Sequence, residues 1–328
     1  MGRLCNTMVK KYAFLFPGQG AQAQGMMKDV CEAFPAARKC VDAISEIAGE
    51  DITKLLWDTE ASVLSRSDRS QLAITAASLA VFSALKSKGI EPSVCAGFSL
   101  GEFPALCASG VLSFDDTIRV VKKRGEIMQK VCEAIAARNA GNAPGMAAII
   151  GLPPEKVLEI AKASGEVYGA NMNSARQTVV SGTAAGLTKA EELCKEAGAR
   201  RFVRLAVAGP FHCPLMQEAA DEFEKAIAAV TFKDPDVPLL SNVSGALAVS
   251  GAEIKKSAVL HLTHPVLWTS EEAVLGKMIT GETDGGNAEW ALLEAGPGKV
   301  LSGLWRDTEF GEKWAAVPVN TADAINAL

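Results

Sequence analysis

A doubly wound α/β fold with a mainly parallel sheet is predicted for this chain of 328 residues by three observations. Short apolar runs alternate with segments of helical periodicity from residue 11 to residue 137. One serine stands between two glycines where such a run passes into a helix. Residues 141–207 then change to a β-α-β-β-α-β order, the ferredoxin-like unit.

The elements follow in order. KYAFLF is a short strand that runs into the glycine-rich loop PGQGAQ. Segments 26–48, 71–88, 101–110 and 115–137 carry apolar residues at helical spacing, and 93–98 is a buried strand between two of them. Strands alternating with helices build a parallel sheet, whose sites lie at the carboxyl ends of its strands. RNAGNAPG, 138–145, has linker composition. After it MAAIIGL, EVYGANMN, RQTVVSG and ARRFVRLAVA read as strands, with PPEKVLEIAKAS and AAGLTKAEELCKEAG as the helices between them. The expected organisation is a large core of residues 9–140 and 208–328 with an inserted ferredoxin-like subdomain, 141–207.

Composition bounds the function. The chain is 48% hydrophobic and 22% charged, with a formal net charge of −5, so a globular domain is expected and nucleic acid is an unsuitable general partner. No apolar run is long enough to span a bilayer, so no membrane role is expected. The opening MGRLCNTMVKKY is too short and polar for a secretory signal. The 8 cysteines include no Cys-x-x-Cys pair and mostly sit in apolar surroundings, which reads as reduced core thiols. A cytoplasmic location is expected, or a plastid or other organelle if a transit peptide has been removed.

The stretch AGFSLGE, residues 96–102, fits the nucleophile-elbow pattern Gly-x-Ser-x-Gly, which makes the core α/β-hydrolase-like. Glycine permits the tight turn, and Ser99 is left beside a helix N-terminus whose free N–H groups favour an anion. A serine hydroxyl needs a base. Of the 3 histidines, His212 lies in GPFHCPLM, where two prolines stiffen the loop. His261 and His264 are spaced i, i+3, but no Cys, Asp or Glu cluster accompanies them, so packing or surface roles are expected and no metal. Cys213 is adjacent to His212 in sequence, a poor geometry for a Cys–His pair. Gly18 to Ala23 fits a loose dinucleotide fingerprint, but no acidic residue stands at the required distance. GPGKVL, 296–301, reads as a turn feeding a helix rather than a phosphate site.

Taken together, the chain resembles the malonyl-CoA:acyl carrier protein transacylase family of fatty acid and polyketide synthesis. FLFPGQGAQ, SDRSQLAIT, AGFSLGEFPAL, VVKKRGEIMQ, GMAAIIGL, NMNSARQTVVSG, PFHCPLM, HPVLWT and EAGPGKVLSGL match in order along nearly the whole chain. The resemblance implies Ser99 as nucleophile and His212 as general base and later acid. It implies the backbone N–H groups of Gln19 and Leu100 as an oxyanion hole, and Arg124 as the bidentate partner of a malonyl carboxylate. Gln71, Met128, Asn171 and Asn173 would lie around the acyl pocket or its rim, as would the Gln19 side chain. Two positions depart from the family: Phe98 stands where many relatives have His, and Leu267 where some have Gln. A backbone carbonyl at Leu267 could orient the histidine, and no aspartate stands near it in sequence.

The implied reaction is ping-pong transfer of malonyl from malonyl-CoA, through a malonyl-serine, to the phosphopantetheine thiol of acyl carrier protein. It needs no metal or redox cofactor, and, since relatives of this kind often act as monomers, a monomer is expected. Lys189, Lys195, Arg200, Arg201 and Lys299 are candidates for a basic surface facing the acidic carrier. The alternative is a thioesterase with the same serine and water as acceptor. Its acid would have to lie between Ser and His, and Asp115 and Asp116 follow Ser99 too closely. Phe98 and Phe211 would set the pocket size that separates malonyl from methylmalonyl.

Overall fold

The structure, a computed structural model, describes residues 10–281 and 288–328. Cys5 and the opening nine residues lie outside them.

The central sheet is built from β1 (Lys10–Phe16), β2 (Val94–Gly97), and two late strands, Glu289–Ala295 and Ala316–Val319. Its order is Ala316–Val319, Glu289–Ala295, β1, β2, and every pairing is parallel. Successive residues of a strand face opposite sides, so a parallel sheet must be apolar on both. In β1, Phe14 and Phe16 set their rings edge-on to Phe82 of the helix Ser67–Ser87 and share one core with the helices Pro35–Ala48 and Phe114–Arg138. Ala13 and Leu15 face the helices Trp268–Ile279 and Val300–Arg306. Helices therefore cover both faces, as a doubly wound sheet requires.

The four strands β3 (Gly145–Ile150), β4 (Val167–Ser174), β5 (Gln177–Gly182) and β6 (Arg201–Arg204) form a second, antiparallel sheet in the order β4-β5-β3-β6. That order is the ferredoxin-like one. Ala147, Ile149 and Val180 face the helices Pro154–Ala163 and Ala184–Glu196. Met146, Ala148 and Val179 point the other way, into the core shared with the large sheet.

Element ends shift by up to a few residues from the sequence reading, the strand read in ARRFVRLAVA being only Arg201–Arg204, and two shifts have a visible cause. The segment 26–48 is two helices, Lys28–Ala33 and Pro35–Ala48, because Pro35 holds Phe34 in the extended region at φ −120°. The long helix after it starts at Ser67 rather than residue 71, its first N–H donating to Gln129 Oε1 at 2.9 Å. No helix among the described residues is long and apolar enough to cross a membrane.

The turn after β2 is a tight fit against β1. A β-carbon on Gly97 would collide with the Gly101 carbonyl, and one on Gly101 with the Phe16 carbonyl. Both obstacles are backbone and cannot swing aside. Gly101→Ala is therefore expected to lower stability by about 3 kcal/mol, the upper end for overpacking. Denaturant unfolding checks this, and an unchanged midpoint would refute the steric account.

Candidate active site

Ser99 opens a short 3₁₀ turn, Ser99–Gly101, that leads into the helix Glu102–Ala108. Its φ is +52°, a left-handed value that L-residues hold only when the surroundings enforce it. Asn242 Oδ1 enforces it by accepting the Ser99 N–H at 2.7 Å. His212 is also left-handed, at φ +60°. The carbonyl just before it, that of Phe211, accepts the Ser181 hydroxyl of β5 at 2.5 Å, so the small sheet fixes the histidine loop.

These two residues meet. Ser99 Oγ lies 2.8 Å from His212 Nε2, and His212 Nδ1 lies 2.8 Å from the His261 carbonyl oxygen. A carbonyl only accepts, so Nδ1 carries the ring proton and Nε2 presents a lone pair to the hydroxyl. Burial, helped by the positive charge of Arg124, lowers the His212 pKa to about 4, which keeps the ring neutral at ordinary pH. The orienting carbonyl thus belongs to His261, not Leu267. Leu267 donates its N–H to the Asn242 carbonyl instead.

Ser99 and His212 open on a cavity of about 250 Å³, also lined by Gln19, Phe98, Leu100, Arg124, Met128, Asn171, Asn173 and Phe211. That volume lies below the range of about 300–1,000 Å³ usual for drug-sized ligands and suits a small acyl group. Leu100 N–H belongs to the first turn, where helical N–H groups lack carbonyl partners. Gln19 lies on the loop after β1, and its side chain reaches the Ser65 carbonyl at 3.4 Å. Phe98 packs edge-on against Trp268, with ring centroids 5.5 Å apart. Asn173 Nδ2 donates to Gln177 Oε1 at 3.3 Å, and its Oδ1 is buried without a partner among the described residues.

Arg124 is 1% exposed. Nη1 donates to Gln71 Oε1 at 2.7 Å, and the guanidinium lies over the Phe103 ring at 5.2 Å. Nε and Nη2, the two donors on one edge of the fork, are buried without a partner among the described residues. Burial pulls the pKa of Arg124 down to about 10, so it stays charged at neutral pH. Gln71 does not line the cavity: it sits behind Arg124, with Nε2 3.0 Å from Met128 Sδ.

Below the elbow lies a polar layer that sequence reasoning missed: Asn242, His261, Glu102 and Glu271. Asn242 is in SNVSG, which reads only as a turn. His261, read as packing or surface, is buried with Nε2 3.0 Å from Asn242 Oδ1. His264 is exposed and bonds Thr263 and Leu260, so the two histidines diverge. Burial raises Glu102 to about 7 and Glu271 well above the usual carboxylate range. Among the described residues no group of three or more His, Cys, Asp or Glu could hold a metal ion. Of the seven described cysteines six are buried, Cys107 is partly exposed, and burial raises every thiol. Lys189, Lys195, Arg200, Arg201 and Lys299 are all exposed.

A hydroxyl and a neutral imidazole at the end of a parallel strand, with a buried cation in the same small cavity, define an α/β enzyme built for acyl transfer. The acyl transferase domain family is matched by residues 13–281, and the chain belongs to that family. It is 40% identical over 300 residues to the malonyl CoA-acyl carrier protein transacylase of Bacillus subtilis, covering 90% of each chain. An acyl carrier protein S-malonyltransferase crystal structure from Vibrio cholerae superimposes with a TM-score of 0.86 at 35% identity, covering 97% of this chain and 99% of that one. A malonyl-transacylase in complex with its type II PKS acyl-carrier protein gives 0.85 at 34% identity, covering 97% and 98%.

Proposed function

We propose that this chain transfers malonyl from malonyl-CoA to the phosphopantetheine thiol of acyl carrier protein, supplying fatty acid synthesis. The observation that carries the reading is the pair of unpartnered donors on Arg124, in the cavity that Ser99 and His212 share. A carboxylate accepts two parallel N–H bonds from one guanidinium edge, which is what a malonyl group brings and an acetyl group lacks.

The steps use the chain's own residues. His212 Nε2 takes the Ser99 proton as Oγ attacks the thioester carbonyl. The N–H groups of Gln19 and Leu100 stabilise the oxyanion. The imidazolium returns its proton to the leaving CoA thiolate. The carrier thiol then gives its proton to His212, attacks the malonyl-serine ester, and the hydroxyl of Ser99 is regenerated. Arg124 keeps the acyl group aligned throughout. The relatives named above as malonyl transacylases, one of them bound to its carrier protein, support this choice of acyl group and acceptor over the thioesterase reading. Among the described residues no carboxylate bonds His212 Nδ1, in contrast to the Ser-Asp-His order of α/β-hydrolases.

The test is mass spectrometry after incubation with malonyl-CoA in the absence of carrier protein. A malonyl adduct is expected on the peptide containing Ser99, stable until holo-carrier protein is added, and absent from Ser99→Ala. Steady CoA release without any carrier protein would favour hydrolysis instead.

A further inference from the structure

The steps above leave the most densely bonded side chain of the site without a part. Asn242 is fully buried and follows Leu240–Ser241, a segment held beside β2 where the Cys95 N–H donates to the Pro238 carbonyl at 2.8 Å. Its Oδ1 accepts from Ser99 N–H at 2.7 Å and faces His261 Nε2 at 3.0 Å. Its Nδ2 donates to the Gly97 carbonyl at 2.6 Å and to Glu271 Oε1 at 2.8 Å. Its own N–H donates to Glu102 Oε2 at 3.1 Å.

The bonds close a circuit. Ser99 Oγ meets His212 Nε2; His212 Nδ1 meets the His261 carbonyl; His261 Nε2 meets Asn242 Oδ1; and Asn242 Oδ1 returns to Ser99 N. We propose that Asn242 is the positioning residue that locks nucleophile and base into one frame, holding the strained Ser99 backbone on one side and the residue that orients His212 on the other. The inference rests on the reading of Ser99 as nucleophile and His212 as base. The residue type follows from chemistry: a planar amide offers an acceptor and two donors in one head, and each is used here. Asn242 does not line the cavity, so its effect passes through the alignment of Ser99 and His212.

The test compares Asn242→Ala and Asn242→Asp with the native enzyme, with thermal unfolding recorded at every pH so that rates are expressed per folded molecule. Misalignment of a reacting pair by about 1 Å costs about 10²-fold. Asn242→Ala is therefore expected to lower kcat by about that factor with KM nearly unchanged. In Asn242→Asp an ionised carboxylate would face the Gly97 carbonyl and Glu271, whereas its protonated form can donate there and still accept from Ser99. Glu102, Glu271 and His261 face the position directly, and Arg124, Glu272 and His212 are the next charged or titratable groups. Activity of the aspartate variant relative to native should rise as pH falls from about 8 to 6.

A purely structural role would change the folded fraction and leave kcat per folded molecule and the pH profile native. That result in either variant overturns the proposal, as does a change confined to KM. If the alanine form does not fold, the pH profile of the aspartate form decides alone. A native enzyme that forms no adduct on Ser99 would instead reject the functional reading. Native acylation with undiminished kcat in Asn242→Ala rejects only the role of Asn242.

Discussion

His212→Ala is expected to slow acyl transfer about 10⁴-fold, the upper range for a general acid–base group, while leaving the unfolding midpoint close to native. In the proposed mechanism the loss is large because the same imidazole serves both half-reactions: it would take the serine proton, protonate the departing thiolate, and then activate the incoming thiol. The wild-type pH profile gives an independent check. Burial and the Arg124 charge hold the His212 pKa to about 4, so kcat/KM should stay level from pH 7 down to about 5 and fall only as pH drops through about 4. An unperturbed histidine would lose activity below about 6.5. The same shift affects stability. Between about 6.5 and 4 the unfolded chain binds a proton at this site and the folded one does not, so stability falls as pH falls across that window and levels off below it. A substrate carboxylate on Arg124 removes part of the cause, so the acid limb of kcat should lie above that of kcat/KM. Stopped-flow CoA release by native and variant enzyme across this range measures each quantity. A variant within tenfold of native would remove His212 from the mechanism.

The second large effect is a loss of discrimination. Arg124→Ala is expected to reduce kcat/KM for malonyl-CoA by about 10²- to 10⁴-fold, matching the roughly 3–5 kcal/mol of a broken buried charge pair. Acetyl-CoA should not suffer this loss. In native enzyme it leaves Nε and Nη2 of Arg124 buried and unpaired, and the truncation removes that penalty. Arg124→Lys should fall between the two, since an ammonium keeps the charge and loses the two-pronged geometry. The measurement is a competition among malonyl-, acetyl- and methylmalonyl-CoA. An equal decline for all three would mean that Arg124 only supports the fold through Gln71 and Phe103.

Local pattern made much of this site legible. Ser99 announces itself because a tight strand-to-helix turn needs glycine where the backbones touch, and Gly97 and Gly101 touch Gly101 and Phe16. His212 stands out because few histidines exist and this one sits between prolines. Arg124 and Met128 are one helical turn apart, so one assignment carries the other into the cavity. Gln71 entered only through the family resemblance, which did not give its place behind the guanidinium.

By itself, then, the amino-acid order determined the doubly wound core and the inserted βαββαβ unit and singled out Ser99 and His212 as candidates, because strand alternation, helical period and glycine turns are short-range properties, whereas Arg124 entered through the family resemblance. Tertiary structure alone decided which carbonyl orients His212, that His261 turns inward while His264 faces solvent, and that Asn242 joins both halves of the site. Those contacts link residues far apart in the chain, Ser99 to Asn242 and His212 to His261, and a hydrogen bond carries no trace in either local sequence until folding brings donor and acceptor within about 3 Å.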